Sequence, residues 1–201
     1  MGRTGRPREF DVQNVLDKAL PLFWEQGYES TTLAQLRGAM GLSSASFYAA
    51  FDSKESLFEA VVQRYADSFG RVTDTLADDS LDPRLALEMT LRDSVRMQTD
   101  ASHPLGCLIM LACNACGPDG EGSRRLLSAR RAHDRDNIAR CVARAVEAGQ
   151  LTSDTSVDAI ATMFHSFLLG ISTQARDGIP AAILDASVTE IMSIWDSLST
   201  V

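Results

Sequence analysis

The sequence predicts an all-α protein: an N-terminal three-helix helix-turn-helix domain, then a larger helical domain, with about nine helices in all. Three observations predict it. Only six of the 201 residues are proline and 45% are hydrophobic, so long segments run without a breaker. Within those segments apolar residues recur at helical rather than alternating spacing. The stretch from Thr31 to Lys54 reads as two short helices meeting at a glycine turn.

Several classes fall away at once. No run of apolar residues is long enough for a membrane span. The start, MGRTGRPREF, lacks the apolar centre of a signal peptide, so a cytoplasmic location without membrane contact is expected. The four cysteines lie in apolar helical segments and predict reduced thiols rather than a disulfide framework. No nucleophile–base–acid set, phosphate-cradling glycine loop or metal motif is legible, so neither an enzyme nor a cofactor is expected. The nearest approach is His103 with Cys107, four residues apart. The net charge of −8 is uneven: residues 1–54 hold six basic and six acidic residues, leaving the acidity to 55–201. Those spans are the expected domains.

Taken in order, the basic arm comes first. Arg3, Arg6 and Arg8 can reach phosphates or a minor groove, or can simply solubilise the terminus. A helix is predicted from about Glu9 to Gln26, with Val12, Leu16, Ala19, Leu20 and Phe23 inward and Gly27 as its stop. Pro21 should kink it, since proline removes the bond to the Asp17 carbonyl. The second helix starts at Thr31 or Thr32, whose hydroxyls can cap it or meet a phosphate, and carries Leu33, Leu36 and Met40 on one face. Arg37 on it can reach the DNA backbone or crowd the packing. Gly41 ends it in the left-handed cap conformation.

Ser43 can cap the third helix, Ser44 to Phe51, with Leu42 stapled on Phe47. Phe47 and Phe51 point to the core, which leaves Ser44, Ala45, Ser46 and Tyr48 outward. Such a slim, uncharged face can enter a major groove. Base readout would rest on Ser43, Ser44 and Ser46, permissive readers beside Ala49 and Ala50. A fourth helix opens at Asp52 or Ser53, with Glu55 available for a capping box. Lys54 in its first turn opposes the helix dipole, a mismatch that a phosphate would offset. Leu57, Phe58, Val61, Val62, Tyr65 and Phe69 continue this helix.

After the loop LADDS, Asp82 and Pro83 open a fifth helix. His103-Pro104 breaks it, and a sixth runs from Leu105 to Cys116. GPDGEG separates this from a seventh, about Ser123 to Ala148, ended by Gly149. The eighth spans Val157 to about Ala175 and is apolar on more than one side, including Phe167 and Ile171. The ninth follows Pro180, where Leu184, Val188, Ile191, Trp195 and Leu198 form a coiled-coil-like seam. A helix apolar on two faces must bury both, so the eighth and ninth predict a partner subunit. Cys113-x-x-Cys116 admits core packing, a sensor thiol or a metal, but no second ligand pair is visible.

The flanking register carries a resemblance. Gly27-Tyr28, Thr31-Thr32, Met40-Gly41-Leu42, Ser46-Phe47-Tyr48, Phe51 and Ser53-Lys54-Glu55 resemble the signature of TetR/AcrR-type bacterial transcription regulators, over about Arg8 to Tyr65. The run His103-Pro104-x-Gly106-Cys107-Leu108 is similar to a subgroup with a Gly-Cys-Leu segment entering the sixth helix. The resemblance implies phosphate contacts from Tyr48 and Lys54, and a homodimer joined through helices eight and nine. It also implies a palindromic double-stranded operator and a small-molecule effector in a cavity among helices four to eight. Tyr65, Met89, Met97, Met110, Cys113, Ile138 and Phe164 are candidates for its wall, or ordinary core. The function expected is a ligand-released repressor. The alternative is a thiol-based redox regulator using Cys107, Cys113, Cys116 or Cys141.

Overall fold

The computed structural model describes residues 12–113 and 116–200, and the basic arm with Arg3, Arg6 and Arg8 lies outside them. Among the described residues nine α-helices and two 3-10 turns form, with no strand. One isolated bridge joins Leu151 to Ser199.

Helix α1 (Val12–Ser30) departs from helical backbone angles at Gly27, with φ 78°, rather than at Pro21. The glycine is needed there twice over, because any Cβ would also press on the Ala112 carbonyl at 3.1 Å. Helix α2 (Leu33–Met40) is capped by Thr32: its hydroxyl accepts from the Gln35 amide at 3.2 Å, and the Gln35 side chain accepts from the Thr32 amide at 2.8 Å. Gly41 closes α2 at φ 70°. Helix α3 (Ser44–Ala50) is capped by Ser43, which accepts from the Ser46 amide. Helix α4 (Lys54–Ala66) starts after Ser53, and its capping box closes through Ser56 rather than Glu55.

The chain then departs from expectation. Helix α4 ends at Ala66, and Phe69–Ala77 is a 3-10 segment in place of a continued helix. Helix α5 (Pro83–Gln98) opens as read, the Asp82 carboxylate accepting from the Leu85 amide. Helix α6 (Leu108–Leu111) is one turn, not the predicted twelve-residue span, because Gly106 takes a left-handed conformation before it and the chain turns away after Ala112. Helices α7 (Glu121–Glu147), α8 (Val157–Arg176) and α9 (Ala181–Ser197) follow.

Two apolar cores result. One joins α1 to α4 with Leu108, Ile109, Ala112, Cys113 and Leu127. The other joins α5, α7, α8 and α9 with Leu76. Trp24 bridges them on its polar side, donating from Nε1 to the Gly106 carbonyl at 3.2 Å, while the Arg176 guanidinium donates to the Trp24 carbonyl at 2.8 Å.

Two expectations are corrected here. Cys113 and Cys116 are joined as a disulfide, with Cα atoms 5.3 Å apart, because the chain leaves α6 early and turns back. Cys107 and Cys141 remain free. The α9 seam also turns inward: Leu184, Val188 and Trp195 are buried within the single chain, as is Ile171 on α8. Arg92 on α5 holds Asp185 at 2.8 Å and Arg84 holds Asp196 at 2.6 Å, so α9 is clamped to its own α5. Phe167, Ile191 and Leu198 keep some exposure. The open apolar surface on this side lies beside the seam, where Phe167, Gly170, Ile179 and Ile183 border a shallow groove and Ile183 is 59% exposed.

Candidate nucleic-acid interface

The reading head is held by a dry floor. Phe23, Phe47 and Phe58 have no exposed surface, and Phe47 meets Phe51 at 5.9 Å between ring centres. With Phe47 and Phe51 committed inward, Ser44, Ala45, Ser46 and Tyr48 face outward, and Tyr48 is 53% exposed. The Ser43 and Ser46 hydroxyls lie 2.9 Å apart, so each is both exposed and oriented by the other.

The remaining predicted contacts divide. Thr32 is exposed at the start of α2. Thr31 is not: it is fully buried and its hydroxyl donates to the Gly27 carbonyl at 2.6 Å. The buried hydroxyl is spent on this carbonyl, so it is closed to phosphate. Arg37 is half-buried at the end of α2 and its Nε finds no partner within the protein. Lys54 lies beside the head, its ammonium donating to the Glu29 carbonyl at 3.4 Å and resting 4.4 Å from the centre of the Tyr28 ring. Partial burial lowers its pKa, opposed by the nearby Glu29 charge.

A second feature lies behind the head. A cavity of about 260 Å³ is walled by α4, the 3-10 segment, α5, α6, α7 and α8. Tyr65, Met97 and Met110 line it as read, whereas Met89, Cys113, Ile138 and Phe164 do not. Ile138 and Phe164 are spent in the second core, and Cys113 in the first. The wall is more polar than the methionine-rich pattern suggested. Tyr65 donates its hydroxyl to the Cys107 sulfur at 3.3 Å, and burial pushes both groups to higher pKa, so both stay protonated at neutral pH. Desolvation likewise raises the Asp134 carboxyl. Ser94 brings a buried hydroxyl with no partner. Beside it the Ser172 hydroxyl donates to the Gln98 amide oxygen at 2.6 Å.

Sequence reading missed Ser94 and Gln98, yet left a trace of them: polar residues four apart on the inner face that also carries Leu87, Leu91 and Val95. It also missed the aromatic cluster linking cavity to head. Trp24 of α1 meets Tyr65 edge-on at 4.9 Å and stacks on His103 at 4.6 Å. No local pattern joins residues so distant in the chain. Among the described residues no cluster of His, Cys, Asp and Glu could hold a metal ion, and no helix is long and apolar enough to cross a membrane.

Comparison with known proteins agrees with this geometry. Residues 15–61 match the family model for bacterial regulatory proteins, tetR family. The HTH-type transcriptional repressor ComR of Escherichia coli (strain K12) is 30% identical over 195 residues, covering 96% of this chain and 93% of ComR. The repressor KstR2 of Rhodococcus jostii (strain RHA1) is 37% identical over 103 residues, 51% of this chain and 47% of its own. Among solved structures, a cysteine mutant of the TetR family transcriptional regulator CifR, complexed with 26 bp double-strand operator DNA, superposes with a TM-score of 0.88. It is 36% identical and covers 94% of this chain and 100% of its own. With one relative matched along nearly its whole length and the helix-turn-helix inside the family model, this chain belongs to the TetR family of bacterial regulatory proteins.

Proposed function

We infer that the chain is a homodimeric repressor that binds a palindromic operator and is released from it by a small molecule held in the cavity. The observation that carries this reading is the outer face of α3, where Ser44, Ala45, Ser46 and Tyr48 stand open on a head whose caps and floor are fully committed. The repressor relatives and the operator-bound CifR structure support it. Tyr48, Ser43, Ser44, Ser46, Thr32, Arg37 and Lys54 are the proposed contacts, with Arg3, Arg6 and Arg8 from the arm. Residues 1–54 form the reading head and 55–201 the effector and dimerisation body. Two heads related by two-fold symmetry would meet half-sites about 34–36 Å apart, one DNA turn, or a multiple of it.

Coupling between cavity and head runs through Tyr65. Its hydroxyl sits in the cavity while its ring edge abuts Trp24 in α1. A ligand that takes over the Tyr65 hydroxyl shifts the ring against Trp24, and α1 carries the head. Release requires that the ligand bind the DNA-incompetent arrangement more tightly. The test is binding to the DNA upstream of the protein's own gene at two salt concentrations, with Tyr48→Phe and Lys54→Ala alongside. Specific binding that falls steeply with salt and weakens in both variants is expected. Equal affinity for operator and scrambled DNA at every site tried, in wild type, would sink the reading.

A second reading is favoured by one observation. The joined Cys113 and Cys116 give the chain a two-electron couple close to the head, which fits a thiol-based regulator on the same frame.

A further inference from the structure

In the segment that follows α6, the described residues on either side of positions 114 and 115, 112–113 and 116–122, do more than connect two helices. They lie against the junction of α1 and α2 and the start of α4. The Ala112 carbonyl accepts from the Tyr28 amide at 2.7 Å, and the Gly117 amide donates to the Glu29 carboxylate at 2.9 Å. Packing is close enough that a Cβ at Gly120 would meet both the Cys116 Cβ at 2.6 Å and the Glu29 carboxylate at 2.8 Å. Gly122 lies directly against the Glu55 carboxylate in the first turn of α4. The segment thus touches both sides of Lys54. That lysine is drawn back onto the Glu29 carbonyl and the Tyr28 ring, the two residues that the segment itself braces.

We propose that Cys113 and Cys116 are a hydroperoxide-oxidised modification site whose disulfide braces the α1–α2 junction, holds Lys54 against it and so weakens operator binding. The proposal rests on the operator-binding reading above. Cys116 keeps partial exposure while Cys113 is buried, so Cys116 is the thiol that meets the oxidant. Its thiolate attacks one peroxide oxygen: an S–O bond forms, the O–O bond breaks, and the departing alkoxide takes a proton to leave as the alcohol. The Cys113 thiolate then attacks the sulfenic sulfur: the S–S bond forms, the S–O bond breaks, and water leaves with the second proton. Two thiols lose two electrons and two protons, and one hydroperoxide becomes one alcohol and one water.

The Cys113 sulfur lies 3.7 Å from the Gly120 carbonyl, which the thiol would meet once the pair is reduced. Cys113 and Cys116 are then linked to the rest of the chain without a covalent bond between them. Glu29 loses a fixed donor at Gly117, and the Lys54 ammonium is free to extend toward a phosphate. Burial of that ammonium in the braced state lowers its pKa, which agrees with its being withdrawn from solvent.

The test uses the full chain, reduced or treated with hydrogen peroxide, with three readouts. Thiol alkylation and peptide mapping report which cysteines pair. Hydrogen exchange reports the Tyr28 and Gly117 amides. Operator affinity is measured for wild type, Cys116→Ser and, because Cys113 is buried, Cys113→Ser as a second variant. The expected result is a Cys113–Cys116 disulfide, slower exchange at both amides, and operator affinity lowered at least about fivefold on oxidation, with no loss in either variant. Failure of the pair to form, or a formed pair with unchanged or tighter operator binding, overturns the proposal. If neither state binds any operator, the repressor reading has failed, and exchange alone then decides the brace: slower Tyr28 exchange in the oxidised chain supports it and equal exchange removes it.

Discussion

The reading head and the cavity behind it are built on opposite terms. In the head the aromatic floor of Phe23, Phe47 and Phe58 is dry and the starts of α2, α3 and α4 are capped, so apart from the Arg37 Nε little polar is left owing a partner. The cavity wall is the reverse. Ser94 is buried with an unused hydroxyl, His165 nearby on α8 has an unpartnered Nε2, and Tyr65 spends its hydroxyl on a thiol, a weak acceptor. A rigid part that presents a shape stands beside a part left incomplete until something fills it. Substitutions should therefore cost folding stability in the head and responsiveness in the cavity.

The largest effect that would break this contrast is at Phe47. Cutting it to alanine should destabilise the chain by about 3–5 kcal/mol in denaturant unfolding and abolish operator binding, because the ring is wholly buried under α3. A mild loss would mean that the head collapses freely and is not rigid. Thr31→Val comes next. Removing the buried hydroxyl that bonds the Gly27 carbonyl should cost about 1 kcal/mol of stability while leaving the salt slope of DNA binding unchanged. A shallower slope with unchanged stability would instead restore Thr31 as a phosphate contact. Ser43→Ala should cost about 1 kcal/mol through the lost cap.

Ser94→Ala sits at the small end for stability and sharpens the comparison most. Deleting an unpaired buried hydroxyl should leave unfolding within about 1 kcal/mol of wild type, or slightly stabilise it. The readout that moves is effector release from DNA, which should need more ligand. Last comes pH. Burial, followed by the Arg135 and Arg131 charges, lowers the His165 pKa. The unfolded chain therefore binds the proton more readily, and stability should fall as pH drops below about 6.5. His165→Gln should flatten that part of a melting-temperature profile.

The head was the more legible half for the same reason that it is rigid. Thr32, Gly41, Ser43 and Ser53 act on neighbours within a few residues, so their roles stand in the local spelling. Thr31 failed because it looks like its neighbour Thr32, and only the turn at Gly27 sends one inward and the other out. The α9 seam failed differently: its spacing is that of an intersubunit coil, but spacing cannot say whose helix fills it. Arg84 and Arg92 reach across from α5, about a hundred residues away in the chain, and hold the buried part of the seam against its own subunit. The short α6 and the Cys113–Cys116 pair were hidden because cysteines three apart serve equally well on a helix or across a turn.

That inward seam bears on inheritance. With Leu184, Val188 and Trp195 satisfied inside one chain, a subunit has little raw core to conceal when alone, and in the proposed homodimer pairing would join finished parts. Finished parts can trade partners. A copy of the gene encoding an intact body and a ruined head would then enter dimers with wild-type subunits and disarm them. Damage to α3 should behave as a dominant trait, whereas damage to the core of the body should behave as a recessive one.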